Sequence, residues 1–148
     1  MLTPEHIVAE ARTWLGTPYH LQACVKGVGV DCAMLLVGIA RGCGMCSQPL
    51  PPRRYSPQWA LHGARETLIE ALETSGIVAA IPMAEVALAD IIGFRWGAGM
   101  LSHVGIISCC APWRMIHAMQ GHCVVEVGVQ AMWASARVAA WQWTGSVT

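Results

Sequence analysis

The hydrophobic pattern of the chain changes its period near the middle, and this change restricts the fold more than any other feature. In the first half, apolar residues recur at helical spacing after Thr3, and residues 32–40 form an apolar run typical of a buried helix. The second half holds short β-rich segments at 90–94, 103–109, 114–118, 123–127 and 138–143, separated by glycine, proline or polar residues. Helices followed by a series of strands predict an α+β fold with a roughly five-stranded antiparallel sheet, not an alternating βαβ arrangement.

Capping residues set the expected limits of the helices. Thr3 followed by proline and glutamate predicts the start of a first helix that Gly16 ends. Asp31 is expected to cap a second helix that begins at residue 32 and stops at Gly42. A third helix is expected from residue 56, after a proline-rich connector.

Composition excludes several classes of protein. A length of 148 residues predicts one domain, covering 1–148. Nine basic and nine acidic residues leave no positive surplus, so we expect no nucleic-acid binding. Residues 96–113 carry no formal charge, but their glycines and proline make a membrane span a poor interpretation. The first residues lack the basic and apolar regions of a signal peptide, so we expect the chain to be made in the cytoplasm.

Cys32 is the strongest candidate for a reactive side chain. It occupies the first turn of the predicted buried helix, where the helix dipole favours a thiolate. Asp31 is placed to accept from the amides of Ala33 or Met34, but its own negative charge opposes the thiolate. A nearby imidazolium would therefore be needed. The alternative is a buried structural cysteine.

His103 and His117 could supply the imidazole. Each lies in a predicted strand, and residues on adjacent antiparallel strands can face each other at ~5 Å. One ring could then take the cysteine proton while the other holds the first ring in the right tautomer. The alternative is two half-buried histidines with ordinary hydrogen bonds.

The remaining cysteines and tryptophans point less clearly to a site. Cys43 and Cys46 form a CxxC, and Cys109 is adjacent to Cys110. A structural zinc site requires two well-spaced pairs, so we predict no metal. A redox role is also disfavoured, because the CxxC follows a helix end instead of opening a helix. Trp59, Trp96 and Trp113 are candidates for lining a groove.

Five motifs in a fixed order resemble those of the NlpC family of papain-like cysteine peptidases. They are LGTPY at 15–19, VDC at 30–32, ADIIGF at 89–94, SHVGI at 102–106 and IHA at 116–118. PYHLQACVKG at 18–27 and RYSPQW at 54–59 are more narrowly similar to tail-associated cell-wall peptidases of phages, prophages and gene transfer agents.

The resemblance implies a papain-like domain with N-terminal helices packed on the sheet, and a Cys-His-His site that needs no cofactor. It implies Cys32 as nucleophile, His103 as general base and His117 as the orienting residue. Tyr19 and Gln22 would lie at the substrate or oxyanion position, with Asp31 as the helix cap beside the nucleophile.

The implied substrates are the stem peptides of bacterial peptidoglycan, cut between D-glutamate and a diamino acid. The implied partners are phage-like tail proteins, in a particle that acts at the cell wall. Three departures from the family's motifs concern the shape of the substrate groove. Met34 and Ala89 replace glycines of the motifs, and Leu21 separates His20 from Gln22. Two alternatives are a catalytically silent docking component of a tail and a related amidase or acyltransferase.

Overall fold

The computed structural model describes residues 1–45, 73, 76–96, 101–130 and 132–144. The RYSPQW motif, Cys46 and Trp59 lie outside these residues. Of the helix predicted from residue 56, only Glu73 is described, and it is helical.

Two helices form at the N-terminal side, each with a side-chain cap. Helix α1 (Pro4–Arg12) follows Thr3, whose hydroxyl accepts from the backbone N–H of His6 at 3.3 Å. It ends at Arg12, and the chain then turns until Gly16, which has a φ of +85°. Helix α1 is therefore shorter than predicted, and Gly16 ends the turn that follows it. Helix α2 (Cys32–Gly42) begins directly after its cap, Asp31.

A six-stranded antiparallel sheet forms the second half of the chain. A separate two-stranded hairpin, β1 (Cys24–Val25) and β2 (Gly29–Val30), lies in the segment predicted as a loop. The sheet strands are β3 (Val78–Ala80), β4 (Ile91–Arg95), β5 (Leu101–Cys110), β6 (Trp113–Ala118), β7 (Val124–Gly128) and β8 (Arg137–Trp143). Their order is β3-β8-β4-β5-β6-β7, with every pair antiparallel.

The predicted α+β class with an antiparallel sheet is confirmed, and the described sheet has six strands where roughly five are predicted. The additional strand is β3, a three-residue edge strand that pairs with β8. It is too short for its sequence to show an alternating pattern. The five-residue helix α3 (Met132–Ala136), directly before β8, was also not predicted.

The sheet separates two hydrophobic clusters because alternate residues of a strand point to opposite faces. The helix-side cluster joins α1 and α2 to one face and includes Ile7, Leu35, Ile39, Ile91, Val104 and Ile106. The far-side cluster comprises Ile92, Phe94, Ile107, Met115, Val129 and Ala136. Helix α3 contributes to the far-side cluster, so each face of the sheet carries helical cover.

None of the helices in the described part of the chain is both long and apolar enough to cross a membrane.

Candidate active site

The start of helix α2 is fixed by the carboxylate of Asp31. One oxygen, Oδ1, accepts from the N–H of Met34 at 2.8 Å, and Oδ2 accepts from the N–H of Gln22 at 2.6 Å. Asp31 is 1% exposed, so both bonds are sheltered from water. The carboxylate therefore ties the loop before the hairpin to the first turn of α2, with Cys32 between them.

Cys32 is buried beside the backbone of strand β5. Its side chain is 4% exposed, and the backbone N–H of Val104, the residue after His103, acts on its pKa. Burial, and next the charge of Asp31, raise the pKa of Cys32 to about 12, although the N–H groups of Val104, Ala33 and Cys32 act in the opposite direction. The thiol is neutral at pH 7, and the thiolate expected from the helix position is not formed in this arrangement.

Tyr19 and Gln22 both lie near this end of α2. Tyr19 is half-buried against the helix-side cluster. Burial, followed by the neighbouring Cys32 and Asp31, raises the pKa of its hydroxyl. That hydroxyl stays protonated at pH 7 and keeps its ability to donate. Gln22 has a left-handed φ of +62°, which turns its backbone N–H toward Asp31.

His103 and His117 are joined by a direct hydrogen bond across strands β5 and β6. Nε2 of His103 and Nδ1 of His117 are 2.7 Å apart, and the ring planes are 82° apart. Ile106 pairs with Ile116, so the same register places Gly105 opposite His117 and His103 on the diagonal. A Cβ added at Gly105 would lie 3.5 Å from the Cβ of His117, so this glycine leaves the space beside the imidazoles open.

Both imidazoles are neutral at pH 7. Burial, and next the proximity of His117, lower the pKa of His103 to about 3. Burial alone lowers the pKa of His117 to about 4. The hydrogen bond therefore joins an N–H of one ring to a bare nitrogen of the other.

An aromatic group covers the histidine pair on the far side of the sheet. The ring centroid of Trp133, in α3, lies 4.9 Å from that of His117 and 5.6 Å from that of His103. Phe94 and Trp96 pack edge-on against the same indole at 5.2 and 5.0 Å. Sequence reasoning missed Trp133 because α3 was missed. The available signal was a tryptophan in a short non-β segment before the last strand.

The structure brings the two histidines together but does not join the thiol to them by a hydrogen bond. Within the described residues, Cys32 Sγ has no hydrogen bond to His103 or His117. Cys32 belongs to the helix-side cluster, whereas both imidazoles pack with far-side aromatic rings. The thiol lies near strand β5, because the N–H of Val104 lowers the pKa of Cys32, and His103 precedes Val104 in that strand.

The other predicted candidates are dispersed. Cys43, Cys109 and Cys110 are free thiols. The described residues contain no group of three or more His, Cys, Asp or Glu side chains that could hold a metal ion. Trp96 is 40% exposed beside Trp133, and Trp113 packs against the far-side cluster.

Solved structures similar to this chain include NlpC/p60 domains. The NlpC/p60 domain of the peptidoglycan hydrolase SagA has a TM-score of 0.64 and 20% identity, over 95% of this chain and 99% of that one. An NlpC/p60 family protein from Bacillus cereus has a TM-score of 0.66 and 19% identity, over 96% of this chain and 40% of that one. NlpC1 from Trichomonas vaginalis has a TM-score of 0.60 and 17% identity, over 95% of this chain and 44% of that one.

The chain therefore has the NlpC/p60 fold, the papain-like α+β architecture that the sequence predicts. It spans less than half the length of the Bacillus and Trichomonas proteins. No protein-family model matches the sequence, and no curated protein matches it.

Proposed function

We propose that this chain is a cysteine peptidase that hydrolyses amide bonds in peptidoglycan stem peptides. The observation that carries the proposal is the pair of imidazoles on the strand that the thiol lies beside. The N–H of Val104 lowers the pKa of Cys32, and Nε2 of the preceding residue, His103, is 2.7 Å from Nδ1 of His117. The fold supports the substrate class, since a structural neighbour is described as a peptidoglycan hydrolase.

The proposed chemistry assigns one role to each group. His103 bonds His117 through Nε2, so Nδ1 is the nitrogen that takes the thiol proton. The sulfur of Cys32 attacks the peptide carbonyl, and backbone amides at the start of α2, with Tyr19, donate to the resulting oxyanion. His103 then returns the proton to the leaving amine, and water hydrolyses the thioester. His117 orients His103 throughout.

The charge states favour general-base catalysis over a preformed ion pair. A buried thiol with a raised pKa keeps its proton, and a buried imidazole with a lowered pKa stays bare at the accepting nitrogen. The proton therefore moves during the attack on the substrate. Because the described residues show no hydrogen bond between Sγ and His103, the proposal requires Nδ1 of His103 and the sulfur to come within hydrogen-bond distance in the substrate complex.

The finer proposal concerns the bond and the place of action. We propose cleavage between D-glutamate and a diamino acid, by an enzyme carried in a phage-like tail to the cell wall. Its partners would be tail proteins, and the chain would enter the particle by assembly in the cytoplasm. The support is the similarity of residues 18–27 and 54–59 to tail-associated peptidases.

A specific observation favours a second candidate, a catalytically silent docking component of a tail. Cys32 is buried and neutral, and among the described residues its sulfur has no hydrogen bond to an imidazole. Trp133 also covers the histidine pair. In a docking component without catalytic activity, these residues would remain as a packed polar part of the core.

Digestion of purified sacculi separates these candidates. Soluble products are followed by chromatography and mass spectrometry for the wild type, Cys32→Ala and Cys43→Ala. Cys43 is the matched control, because it is the same residue type at the other end of α2. We expect products from the wild type and Cys43→Ala, and a loss of ~10³-fold or more in Cys32→Ala.

Fragment masses would identify the bond. Equal release by Cys32→Ala, or no release by any of the three proteins, would contradict the peptidase and favour the docking component.

A further inference from the structure

We propose that Trp133 is a positioning residue that determines which nitrogens of the histidine pair carry protons, by presenting its indole face to the Nε2–H of His117. This inference deepens the proposed function and rests on it, since it concerns the nitrogen that would receive the thiol proton. Its structural part can be tested without any substrate.

The first observation is an unpartnered nitrogen. His117 is 0% exposed, and among the described residues its buried Nε2 has no hydrogen-bond partner. Its other nitrogen, Nδ1, makes the 2.7 Å bond to His103. A buried polar atom without a partner is rare, so something other than a conventional acceptor must account for Nε2.

A neutral imidazole carries one N–H and one bare nitrogen, which leaves two arrangements for the pair. With the proton on Nε2 of His117, its Nδ1 accepts from the Nε2–H of His103, and Nδ1 of His103 is bare. With the proton on Nδ1 of His117, the bond reverses and Nδ1 of His103 holds a proton. Only the first arrangement leaves His103 able to take a proton from Cys32.

Trp133 favours the first arrangement. Its ring centroid is 4.9 Å from that of His117, with the planes 74° apart, which is an edge-to-face contact. The face of an aromatic ring is electron-rich, so it attracts an N–H and repels a bare nitrogen. In the proposed arrangement the Nε2–H of His117 meets this face, which gives the buried atom its partner.

The indole is itself held in place. Phe94 lies 5.2 Å from it with planes 75° apart, and Trp96 lies 5.0 Å from it with planes 65° apart. These contacts restrict rotation of the indole, so the face presented to His117 is fixed by packing.

Nitrogen-15 NMR of the histidine rings tests the inference directly, because the two tautomers give different shifts for Nδ1 and Nε2. Three variants are compared with the wild type: Trp133→Phe retains an aromatic face, Trp133→Leu retains only apolar bulk, and Trp113→Leu is the matched control. Trp113 packs against the same far-side cluster but has no ring contact with either imidazole among the described residues.

We expect protonated Nε2 and bare Nδ1 at His117 in the wild type, Trp133→Phe and Trp113→Leu. In Trp133→Leu we expect a mixture of tautomers, with kcat reduced ~10-fold or more at an unchanged KM. A proton on Nδ1 of His117 in the wild type would overturn the inference. This result comes from the wild-type protein alone and does not depend on whether any variant folds. An unchanged tautomer in folded Trp133→Leu would also overturn it.

The tautomers measured by NMR do not depend on whether the protein hydrolyses peptidoglycan. If the tautomers are as expected but no protein releases wall fragments, the peptidase proposal fails and the role of Trp133 remains.

Discussion

The start of α2 and the histidine pair are both buried and both neutral at pH 7, but burial acts on them in opposite directions. It raises the pKa of Cys32 and lowers the pKa of His103 and of His117. Desolvation penalises the charged form, which is the deprotonated thiol in one case and the protonated imidazole in the other. One region thus holds a proton while the other can accept one, which suits the transfer proposed for the reaction.

The two regions also differ in their surroundings. The thiol lies beside backbone N–H groups and the carboxylate of Asp31, which all act on its pKa. Aromatic rings surround the imidazoles, and among the described residues the two rings hydrogen-bond to each other. We expect the first region to respond to changes of charge and the second to changes of pH and packing.

The largest expected effect is a loss of stability in mild acid caused by the histidine pair. The unfolded chain takes up protons on both imidazoles below their ordinary pKa of 6.5, whereas the folded pKa values are about 3 and about 4. The unfolded state therefore binds more protons, and stability falls as the pH falls through this window. With His117 buried and His103 half-buried, the pair would remove up to about 3 kcal/mol between pH 6.5 and 5. Urea unfolding at intervals across that range measures it.

The matched variants for this experiment are His117→Gln and His122→Gln. His117 is buried and His122 is exposed, so only the first should flatten the dependence on pH. A wild-type unfolding free energy that stays level from pH 6.5 to 5 would show that the pair is not held neutral by burial.

The next effect concerns the charge beside the thiol. Asp31→Asn removes that charge, so we expect the pKa of Cys32 to fall and its alkylation at pH 8 to 9 to become faster. The carboxylate accepts one bond on each oxygen, whereas the amide has only one acceptor oxygen, so one of these part-buried bonds is lost at a cost of about 1–3 kcal/mol. Peptide mass spectrometry after timed alkylation, with chemical unfolding, measures both.

Asp90→Asn is the control for this substitution. Asp90 is a half-buried carboxylate that accepts from the N–H of Ala87 at 2.8 Å, and it does not contribute to the pKa shift of Cys32. Slower or unchanged alkylation of Cys32 in Asp31→Asn would mean that burial alone raises its pKa.

The features that the sequence predicts well depend on residues that are close together in the chain. The cap of α2 involves Asp31 and an amide three residues away, and proline, glycine and polar residues mark the ends of most strands. A diagonal pair of histidines fourteen residues apart depends on the register of β5 and β6, which strand patterns suggest but do not fix. Trp133 and strand β3 were missed because their elements are five and three residues long, and tertiary packing decides such short segments.

The smallest effect compares two glycines on the two faces of the sheet. A Cβ at Gly105 would lie 2.8 Å from the Sδ of Met115, the end of a flexible side chain that can move aside. A Cβ at Gly93 would lie 2.6 Å from Leu101 and 2.9 Å from the ring of Trp141, which is 1% exposed. We expect Gly105→Ala to cost about 1 kcal/mol or less, and Gly93→Ala about 1–3 kcal/mol, because overpacking against a buried rigid ring is not relieved.

Urea unfolding of the two alanine variants at pH 7 measures this difference. The ring spectra of Gly105→Ala should match those of the wild type, since its new methyl group meets the Cβ of His117 at an ordinary 3.5 Å. If Gly105→Ala is the more damaging change, the far side of the sheet is packed as rigidly as the helix side. The histidine pair would then be positioned by the whole layer, and Trp133 would be one contributor among several.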